Sequence, residues 1–391
     1  MKILNVISSM DPKAGGVCQV LRNNIPEQKR IGVYNEVICF DAADEDFLKQ
    51  ENITIHAIGP AKGPYAYCPE LQTWMKNNLN RFDVVIIHGL WLYHSYGAYT
   101  AWAKFKKKNT SAPKLFVMPH GMLDPYFQRA KERRLKAIRN WIFWKIIERK
   151  IINNSDGLLF TCEDELLLAR ETFSPYHPVL ELNVGLGIQT PPSYNEKTMK
   201  DAFFSLCPQA ESQPFLLFLS RIHPKKGVDL LIKAYIQLKD RGLNLPKLVI
   251  AGPGLETPYG KELTDLVKDR TDIFFPGMLT GDAKWSAFYN CEAFVLPSHQ
   301  ENFGIAIVEA MACSKAVLIS NKVNIWREIE KGGGGIVESD TLEDITKMLE
   351  QWGNLSTLEK TMMGVKAKET FQIYFSVKET ATRMIDVIKS V

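Results

Sequence analysis

The sequence predicts an α/β protein built from two doubly wound parallel sheets, and three observations lead to that prediction. Strand-like apolar runs alternate with helix-length amphipathic segments along almost the whole chain. Several of these runs, such as Leu-Leu-Phe-Leu and Leu-Val-Ile-Ala, are continuously apolar, as strands buried on both faces are. The length of 391 residues exceeds one ordinary core and fits two domains.

Each predicted element follows from its local pattern. The strands of the first half are predicted at Ile3–Ile7, Glu36–Phe40, Val84–His88, Lys114–Met118, Gly157–Cys162 and Pro178–Leu182. Those of the second half are predicted at Phe215–Ser220, Lys247–Ala251, Ile273–Phe275, Ala293–Pro297 and Ala316–Ser320. Helices are predicted at Val17–Asn24, 127–152, Val228–Leu238, Phe303–Cys313 and Phe375–Val391.

Breaker clusters mark the division between the domains. Thr190-Pro191-Pro192-Ser193 is one such cluster and Pro208–Pro214 is another, with a short helix between them. We therefore expect one domain at 1–189, a linker at 190–213, a second domain at 214–375 and a helix at 376–391 that packs back on the first domain. The two sheets are expected to face each other across a cleft, with ligands at the carboxyl ends of their strands.

Composition excludes several classes of protein. The net charge of +4 and the absence of an apolar run of about 18 residues argue against a nucleic-acid binder and a membrane span. The amino terminus reads as a first strand and not as a signal peptide. The seven cysteines are scattered without a C-x-x-C pair, which predicts neither a disulfide framework nor a zinc site and favours the cytoplasm.

Charge is concentrated in residues 101–150, which hold 14 basic and 3 acidic side chains. Cations beside aromatic residues on a predicted helix suit an acidic glycolipid or peripheral contact with an anionic membrane at its inner face. The alternative is a solvated helix whose Trp and Ile side chains face the core. For the aromatic residues we favour that alternative; for the cations both interpretations stay open.

Three motifs suit a phosphorylated ligand. Gly15-Gly16 precede a helix, where backbone N–H groups can meet a phosphate or a sugar; a plain tight turn is the alternative interpretation of these two glycines. Arg221, Lys225 and Lys226 follow a strand and supply the positive charge that a diphosphate requires. In the third motif a strand ends, a polar loop follows, and a glycine leads into a helix. One carboxylate lies in the loop and the other lies inside the helix. The motif comprises Pro297, Glu301, Asn302, Phe303, Gly304, Ile305 and Glu309.

Two histidines lie at the carboxyl ends of predicted strands of the first half. His88 is the last residue of one strand and His120 follows another, which places both at an edge where ligands bind. We expect a functional role for His120, while His88 and the neighbouring Trp91 are candidates for the acceptor side.

These motifs together resemble the retaining glycosyltransferases of family 4, which have the GT-B fold of two Rossmann-like domains. The resemblance rests on Ser220-Arg221 with Lys225-Lys226-Gly227, Ala251-Gly252-Pro253-Gly254, and Glu301-Asn302-Phe303-Gly304 followed by Glu309. The segment Pro119-His120-Gly121-Met122-Leu123-Asp124-Pro125 is similar to a variant in bacterial polysaccharide enzymes, and it adds Asp124 to the acceptor side. Asn183-Val184-Gly185-Leu186-Gly187-Ile188 departs from the family's usual hinge sequence.

The resemblance implies a role for each motif. Arg221 and Lys226 would hold the donor diphosphate and Glu309 the ribose, while Gly15, Gly16 and Gly252 would leave room for the donor. Glu301 and His120 would contact the donor sugar, with the backbone of Asn302, Phe303, Gly304 and Ile305 beside it, and Met278 and Leu279 would face the base. His120, Arg221, Lys226 and Glu301 are thus the predicted catalytic group.

The implied activity is metal-independent retaining transfer of a hexose. Arg221, Lys226 and the helix start near Gly304 could meet the charge on the leaving diphosphate without a metal, so neither a metal nor any other cofactor is expected. The expected donor is UDP-glucose or a similar UDP-hexose, with a GDP-sugar as the second choice, and the expected acceptor is a lipid-linked or polysaccharide-precursor glycan. A nucleotide-sugar epimerase and a non-catalytic nucleotide-sugar-binding module are the alternatives.

Overall fold

The computed structural model describes residues 1–49, 52–130 and 133–391, so Lys131 of the predicted basic helix lies outside the described residues. The chain forms two compact units. One comprises Met1–Gly187 together with Val377–Val391, and the other comprises Ile188–Ser376. We call them unit 1 and unit 2.

Unit 1 is built on a seven-stranded parallel sheet. Its strands are β1 (Lys2–Val6), β2 (Tyr34–Cys39), β3 (Thr54–Ala57), β4 (Val84–His88), β5 (Lys114–Met118), β6 (Gly157–Phe160) and β7 (Glu181–Asn183). Its first helices are α1 (Gly16–Arg30), α2 (Glu70–Asn78), α3 (Tyr93–Lys106), α4 (Tyr126–Arg129), α5 (Arg134–Phe143), α6 (Arg149–Asn154) and α7 (Glu163–Thr172), and a π-helical turn (Trp144–Glu148) joins α5 to α6.

Unit 2 is built on a six-stranded parallel sheet. Its strands are β8 (Phe215–Leu219), β9 (Lys247–Ala251), β10 (Ile273–Gly277), β11 (Ala293–Leu296), β12 (Ala316–Ser320) and β13 (Gly335–Glu338). Its helices are α8 (Glu196–Phe204), α9 (Val228–Asp240), α10 (Pro258–Leu266), α11 (Gly281–Asn290), α12 (Ile305–Ala312), α13 (Trp326–Gly332), α14 (Leu342–Asn354) and α15 (Thr357–Thr370), followed by a second π-helical turn (Phe371–Phe375).

The last helix, α16 (Val377–Ser390), belongs to unit 1. It is amphipathic, and Met384, Ile385 and Ile388 are buried in one cluster with Ile3 and Phe116 of the sheet. Burial of these apolar side chains is what holds the carboxyl terminus on unit 1.

Strand order determines where ligands can bind in each unit. The orders are β3-β2-β1-β4-β5-β6-β7 and β10-β9-β8-β11-β12-β13. The direction of winding therefore reverses between β1 and β4, and again between β8 and β11. In open parallel sheets the loops at the carboxyl ends of such strands form the ligand crevice.

The segment expected as a linker at 190–213 is part of unit 2. Met199 and Phe203 of α8 are buried, and so are Cys207 and Ala210 after it. The Tyr194 hydroxyl also lies 3.2 Å from Asn290 Oδ1 of α11. Its apolar side chains give this segment a packed face, which a free linker would lack.

Two strands were missed by the pattern of the sequence. β3 is short and only partly buried, and β13 is a four-residue edge strand that follows a run of glycines. Neither shows the continuous apolar run by which buried strands are recognised. β7 begins at Glu181, three residues later than predicted.

The predicted helix 127–152 is interrupted, and one interpretation of its side chains was wrong. It consists of α4, α5, the π-helical turn and α6, with the undescribed residues between α4 and α5. Trp144 is fully buried, as expected, but Trp141 and Ile146 are exposed and do not face the core. Among the described residues, no helix is both long enough and apolar enough to cross a membrane.

Candidate functional site

Unit 2 brings the predicted phosphate-binding cations to the carboxyl end of β8. Arg221 is exposed there, and Lys226 ends the 3-10 turn Pro224–Lys226, with its side chain almost fully buried. The Lys226 ammonium forms an ion pair with Glu301 Oε2 from the loop after β11. Two predicted site residues, 75 positions apart in sequence, are therefore in direct contact at the switch point of the sheet.

Backbone contacts fix the two loops to each other. The Lys225 carbonyl accepts hydrogen bonds from His299 N–H (2.8 Å) and from the Ser298 hydroxyl (3.0 Å). The loop after β11 is held from its other side too, since Glu301 N–H donates to the Lys322 carbonyl at 2.9 Å. The Lys226–Glu301 pair is thus positioned by the backbone of three segments.

Gly304 begins α12 in a left-handed conformation, with φ of +75°. A Cβ at this position would lie 2.6 Å from Ile307 Cδ1, the end of a side chain that can shift, so it is the left-handed backbone conformation that favours glycine here. Phe303 before it is buried edge-on against Phe375 at 5.8 Å. The helix start that carries the Gly304 and Ile305 amides is therefore fixed in place, as anion binding at a helix amino terminus requires.

Asn302 is also tied to its surroundings. The Asn324 side-chain amide donates to Asn302 Oδ1 at 3.2 Å, and Asn324 N–H donates to the Glu301 carbonyl at 2.9 Å. Asn324 was not singled out in the sequence. It acts on residues of the motif from a separate loop, which no local spacing reveals.

Glu309 lies within α12 and pairs with Lys284 of α11 at 2.6 Å. Burial raises the pKa of the Glu309 carboxyl, and the Lys284 ammonium opposes that rise. Lys284 was missed in the sequence because its only link to the motif is spatial. A largely buried carboxylate held by one lysine has oxygen lone pairs suited to a diol such as a ribose.

The remaining predicted residues of unit 2 lie at neighbouring strand ends. Gly252 follows β9, and a Cβ there would lie 1.8 Å from the Ser220 carbonyl oxygen, so only glycine fits against the end of β8. Leu279, after β10, is buried, whereas Met278 is exposed. The predicted donor residues of unit 2 all follow strands of its sheet at the carboxyl end.

In unit 1, His120 and His88 form one hydrogen-bonded chain with Asn5. His88 Nδ1 lies 3.0 Å from His120 Nε2, and His88 Nε2 lies 3.0 Å from Asn5 Oδ1. Burial lowers the pKa of His120 to about 4, and burial together with the neighbouring His120 and His94 lowers the pKa of His88 well below its usual value. Both imidazoles are therefore neutral near pH 7.

The donors and acceptors in this hydrogen-bonded series are determined by Asn5. Asn5 Nδ2 donates to Asn35 Oδ1 at 2.9 Å, which leaves Asn5 Oδ1 to accept from His88 Nε2–H. His88 Nδ1 must then accept from His120 Nε2–H. His120 Nδ1 is left as an acceptor, which is the form that can accept a hydrogen bond from a sugar hydroxyl.

Two buried glutamates support the loops that carry these groups. Glu165 accepts from Gly121 N–H and from Thr161 N–H, and so holds the turn at His120, whose φ is +53°. Glu148 accepts from Trp91 N–H at 2.8 Å and from the Ser95 hydroxyl at 2.9 Å. Neither glutamate belongs to a sequence motif, because each acts on a loop distant in the chain.

The acceptor-side predictions fit the structure poorly for two of three residues. His88 is buried behind His120. Asp124 is buried too, and its Oδ1 accepts from Tyr126 N–H at 2.8 Å at the start of α4. Both side chains are turned inward to support neighbours and are not available for direct contact. Trp91 is half-buried against Phe173.

Gly15 and Gly16 lie where a ligand could approach α1. Both are exposed, Gly16 is the first residue of the helix, and Gly15 precedes it with φ of +119°. They follow β1 at the switch point of the unit 1 sheet. In the part of the chain that the structure describes, no three or more His, Cys, Asp and Glu side chains lie together where they could hold a metal ion.

Both halves of the chain match families of known proteins. Residues 15–185 match the "Glycosyl transferase 4-like domain" family, and residues 202–369 match "Glycosyl transferases group 1". The Salmonella typhimurium lipopolysaccharide 1,2-N-acetylglucosaminetransferase is 28% identical over 188 residues, which cover 46% of this chain and 49% of that protein. The Escherichia coli O-antigen chain mannosyltransferase C is 26% identical over 177 residues, 44% of each protein. The matches therefore span about half the length of these curated relatives.

Solved structures resemble the chain over nearly its full length. Anabaena HepE in complex with UDP-glucose has a TM-score of 0.70 at 17% identity and covers 100% of both chains. The sucrose-phosphate synthase of Thermosynechococcus elongatus has a TM-score of 0.72 at 17% identity, covering 100% of this chain and 98% of that one. At this identity the likeness shows a shared fold.

Proposed function

The chain belongs to glycosyltransferase family 4 and has the GT-B fold, and from that premise we propose that it is a retaining hexosyltransferase that uses a UDP-sugar. The observation that carries the proposal is the ion pair of the buried Lys226 with the partly exposed Glu301, held at the sheet switch point beside Arg221 and the start of α12. A diphosphate and a sugar hydroxyl need opposite charges in adjacent positions, and this pair supplies both.

The proposed chemistry depends on stabilising the leaving group. Glycosyl transfer passes through an oxocarbenium-like state while negative charge grows on the departing diphosphate. Lys226, Arg221 and the α12 amides can meet that charge as preorganised donors. In this proposal Glu309 holds the ribose, and His120 Nδ1 accepts a hydrogen bond from a hydroxyl of the donor sugar.

UDP-glucose or a similar UDP-hexose is the proposed donor, and a lipid-linked or polysaccharide-precursor glycan is the proposed acceptor. HepE, whose fold is shared, binds UDP and glucose in its solved complex. Two relatives are named for lipopolysaccharide and O-antigen sugars, which supports an acceptor of this class. We further propose that the protein acts in the cytoplasm, at the inner face of the membrane.

A thermal-denaturation panel tests the donor. We expect UDP to raise the melting temperature more than GDP or ADP at equal concentration. At about 100 times its Kd, a ligand adds about 2.7 kcal/mol, or roughly 5 to 10 °C for a domain of this size. The Arg221→Ala variant should lose most of that shift. A larger shift with GDP would overturn the assignment of the base.

Hydrolysis of the donor without an acceptor tests the sugar and the class of reaction. Slow release of glucose from UDP-glucose is the expected result. Release of a different hexose from a panel of UDP-sugars would correct the donor sugar. Conversion of UDP-glucose into its epimer without release would instead identify an epimerase.

We further propose that transfer needs no metal ion, because fixed cations and helix amides supply the stabilising charge. The rate of transfer should therefore stay within about twofold of its starting value after chelation with EDTA. Loss of activity that one divalent ion restores would refute this. Buffer exchange after chelation is the control for effects of EDTA itself.

A further inference from the structure

The helical segment from α5 into α6 carries an exposed apolar surface on unit 1. Five large apolar side chains there are between 44% and 84% exposed, namely Leu135, Ile138, Trp141, Ile142 and Ile146. Spacings of three and four residues place Leu135, Ile138, Ile142 and Ile146 on one face of the helix. We call these five residues the α5 apolar face. The opposite side, with Ala137, Asn140 and Trp144, is buried.

Cations flank the α5 apolar face. At the helical period, Arg134 and Lys145 project on one side of it and Lys136 and Arg139 on the other. All four are exposed, and no acidic residue occurs from Arg133 to Ile147. Within the described ranges, none of the four forms an ion pair with a carboxylate. Arg139 donates to Asn140 Oδ1 at 2.9 Å and Lys145 to the Ser174 carbonyl at 3.4 Å. These partners are neutral and leave the positive charges able to attract anions outside the protein.

The other cations of 101–150 do not join this surface. Lys104, Lys106, Lys107 and Lys108 lie at the carboxyl end of α3, before β5 begins, whereas α5 follows the far end of β5. Lys106 is also engaged, with Asp156 at 2.9 Å and with the Trp102 ring. The basic residues of 101–150 therefore form two separate groups, one at the end of α3 and the other on α5. Of these two groups, the one on α5 lies beside exposed apolar side chains.

We propose that the α5 apolar face inserts into the surface of an anionic lipid bilayer, with the flanking cations at the lipid phosphates. Exposed Leu, Ile and Trp side chains gain free energy by leaving water. A helix lying flat with its apolar stripe in the acyl boundary and cations beside it is the geometry of interfacial membrane binding. The proposal concerns the surface of unit 1 and does not depend on the donor or acceptor of the proposed function.

Unit 2 offers a matched control surface. Leu358, Met362 and Val365 of α15 are exposed to a similar degree. The charges of that helix are mixed, since Glu359 and Glu369 accompany its lysines. Nonspecific hydrophobic adsorption to vesicles would occur at both helices, whereas the proposed binding requires the cations of α5.

Co-sedimentation of the full chain with vesicles tests the proposal. We expect binding to vesicles of about one-third phosphatidylglycerol in phosphatidylcholine at about 0.1 M salt, and little binding to phosphatidylcholine alone. Lys136→Gln with Lys145→Gln should weaken partitioning by about fivefold per cation. Leu135→Ser with Ile142→Ser should weaken it at least about tenfold, while Leu358→Ser with Met362→Ser should leave it unchanged.

Fluorescence from a dye attached at a single position provides a second measurement, which reports whether that position enters the bilayer. All seven native cysteines are buried, so a dye on Leu135→Cys reports from one exposed position. Its emission should shift to the blue on anionic vesicles, and a dye on Leu358→Cys should not shift. No shift at either position would overturn the proposal. So would equal binding to neutral vesicles, or a dimer in light scattering that Leu135→Ser separates.

Discussion

Replacement of Lys226 by alanine should lower kcat by about 100- to 1000-fold, which is the loss typical when one preorganised donor to developing negative charge is removed. Lys226 is buried at the sheet switch point, and its ammonium is already held by Glu301 before any ligand arrives. It therefore needs little reorganisation when charge grows on a leaving diphosphate. Steady-state kinetics with a saturating donor would measure the effect.

The same replacement removes the partner of Glu301, so loss of activity must be separated from loss of folding. The Glu301 side chain is partly exposed, and its charge is therefore partly solvated, which limits the loss of stability. Arg221→Ala gives an independent reading, because Arg221 is exposed and its removal leaves the core intact.

Lys233→Ala is the matched control for Lys226→Ala. Lys233 lies on α9 in an exposed ion pair with Asp229, and its loss should change neither kcat nor the melting temperature measurably. Wild-type kcat in both Lys226→Ala and Arg221→Ala, with wild-type folding, would show that the leaving group is stabilised elsewhere.

The donor residues of unit 2 could be predicted from the sequence because they are local. A strand, a polar loop, a glycine and a helix occur within the thirteen positions from Pro297 to Glu309, and their order alone places them at a sheet edge. The structure shows Lys226 and Glu301 in contact and Gly304 at the start of α12. Which groups these residues touch in the donor stays a prediction.

The supporting residues could not be predicted, because their partners are distant in sequence. Lys284 reaches Glu309 from another helix, and Asn5 reaches His120 only through His88. Nothing in the local pattern distinguishes such a residue from any other lysine or asparagine. These contacts exist only after the sheet has brought the strand ends together.

The 127–152 segment shows a second reason why the sequence could not predict every feature, namely which face of a helix is buried. Its sequence holds two apolar stripes, one with Trp144 and the other with Leu135, Ile138 and Ile142. Periodicity identifies both but does not say which one the core receives. The structure buries the Trp144 stripe and exposes the other, so the expectation that the aromatic residues all face the core was wrong.

Replacement of Glu148 by glutamine should remove a large pH dependence from the stability of unit 1. The Glu148 side chain is fully buried, and its Oε2 has no hydrogen-bond partner among the described residues, as is also true of the nearby Tyr65 hydroxyl. Burial raises the pKa of Glu148 to about 7, although Trp91 N–H and the Ser95 hydroxyl favour the charged form. The folded protein therefore binds this proton more tightly than the unfolded chain does.

The sign of the effect follows from that difference in affinity. Below about pH 4.5 the carboxyl is protonated in both states, and it contributes no penalty. Between about pH 4.5 and 7 only the unfolded chain ionises, so stability falls as pH rises. Above about pH 7 the penalty is constant at about 3 kcal/mol, the free energy of a pKa difference of about 2.5 units.

The glutamine variant keeps an oxygen acceptor for Trp91 and Ser95 but has no proton to lose. Its free energy of unfolding should exceed that of the wild type at pH 8 by up to about 3 kcal/mol, measured as a higher melting temperature, and the two proteins should converge toward pH 5. Glu165→Gln is the contrasting control, because Glu165 accepts from Gly121 N–H, Thr161 N–H and the Thr161 hydroxyl. The amide NH₂ of a glutamine at this position would face one of these N–H groups, donor against donor. The variant should therefore have a lower free energy of unfolding at every pH. A wild-type pH profile in Glu148→Gln would mean that the Glu148 carboxyl is already ionised at pH 5 in the folded protein, and that the buried loop after β4 tolerates its charge.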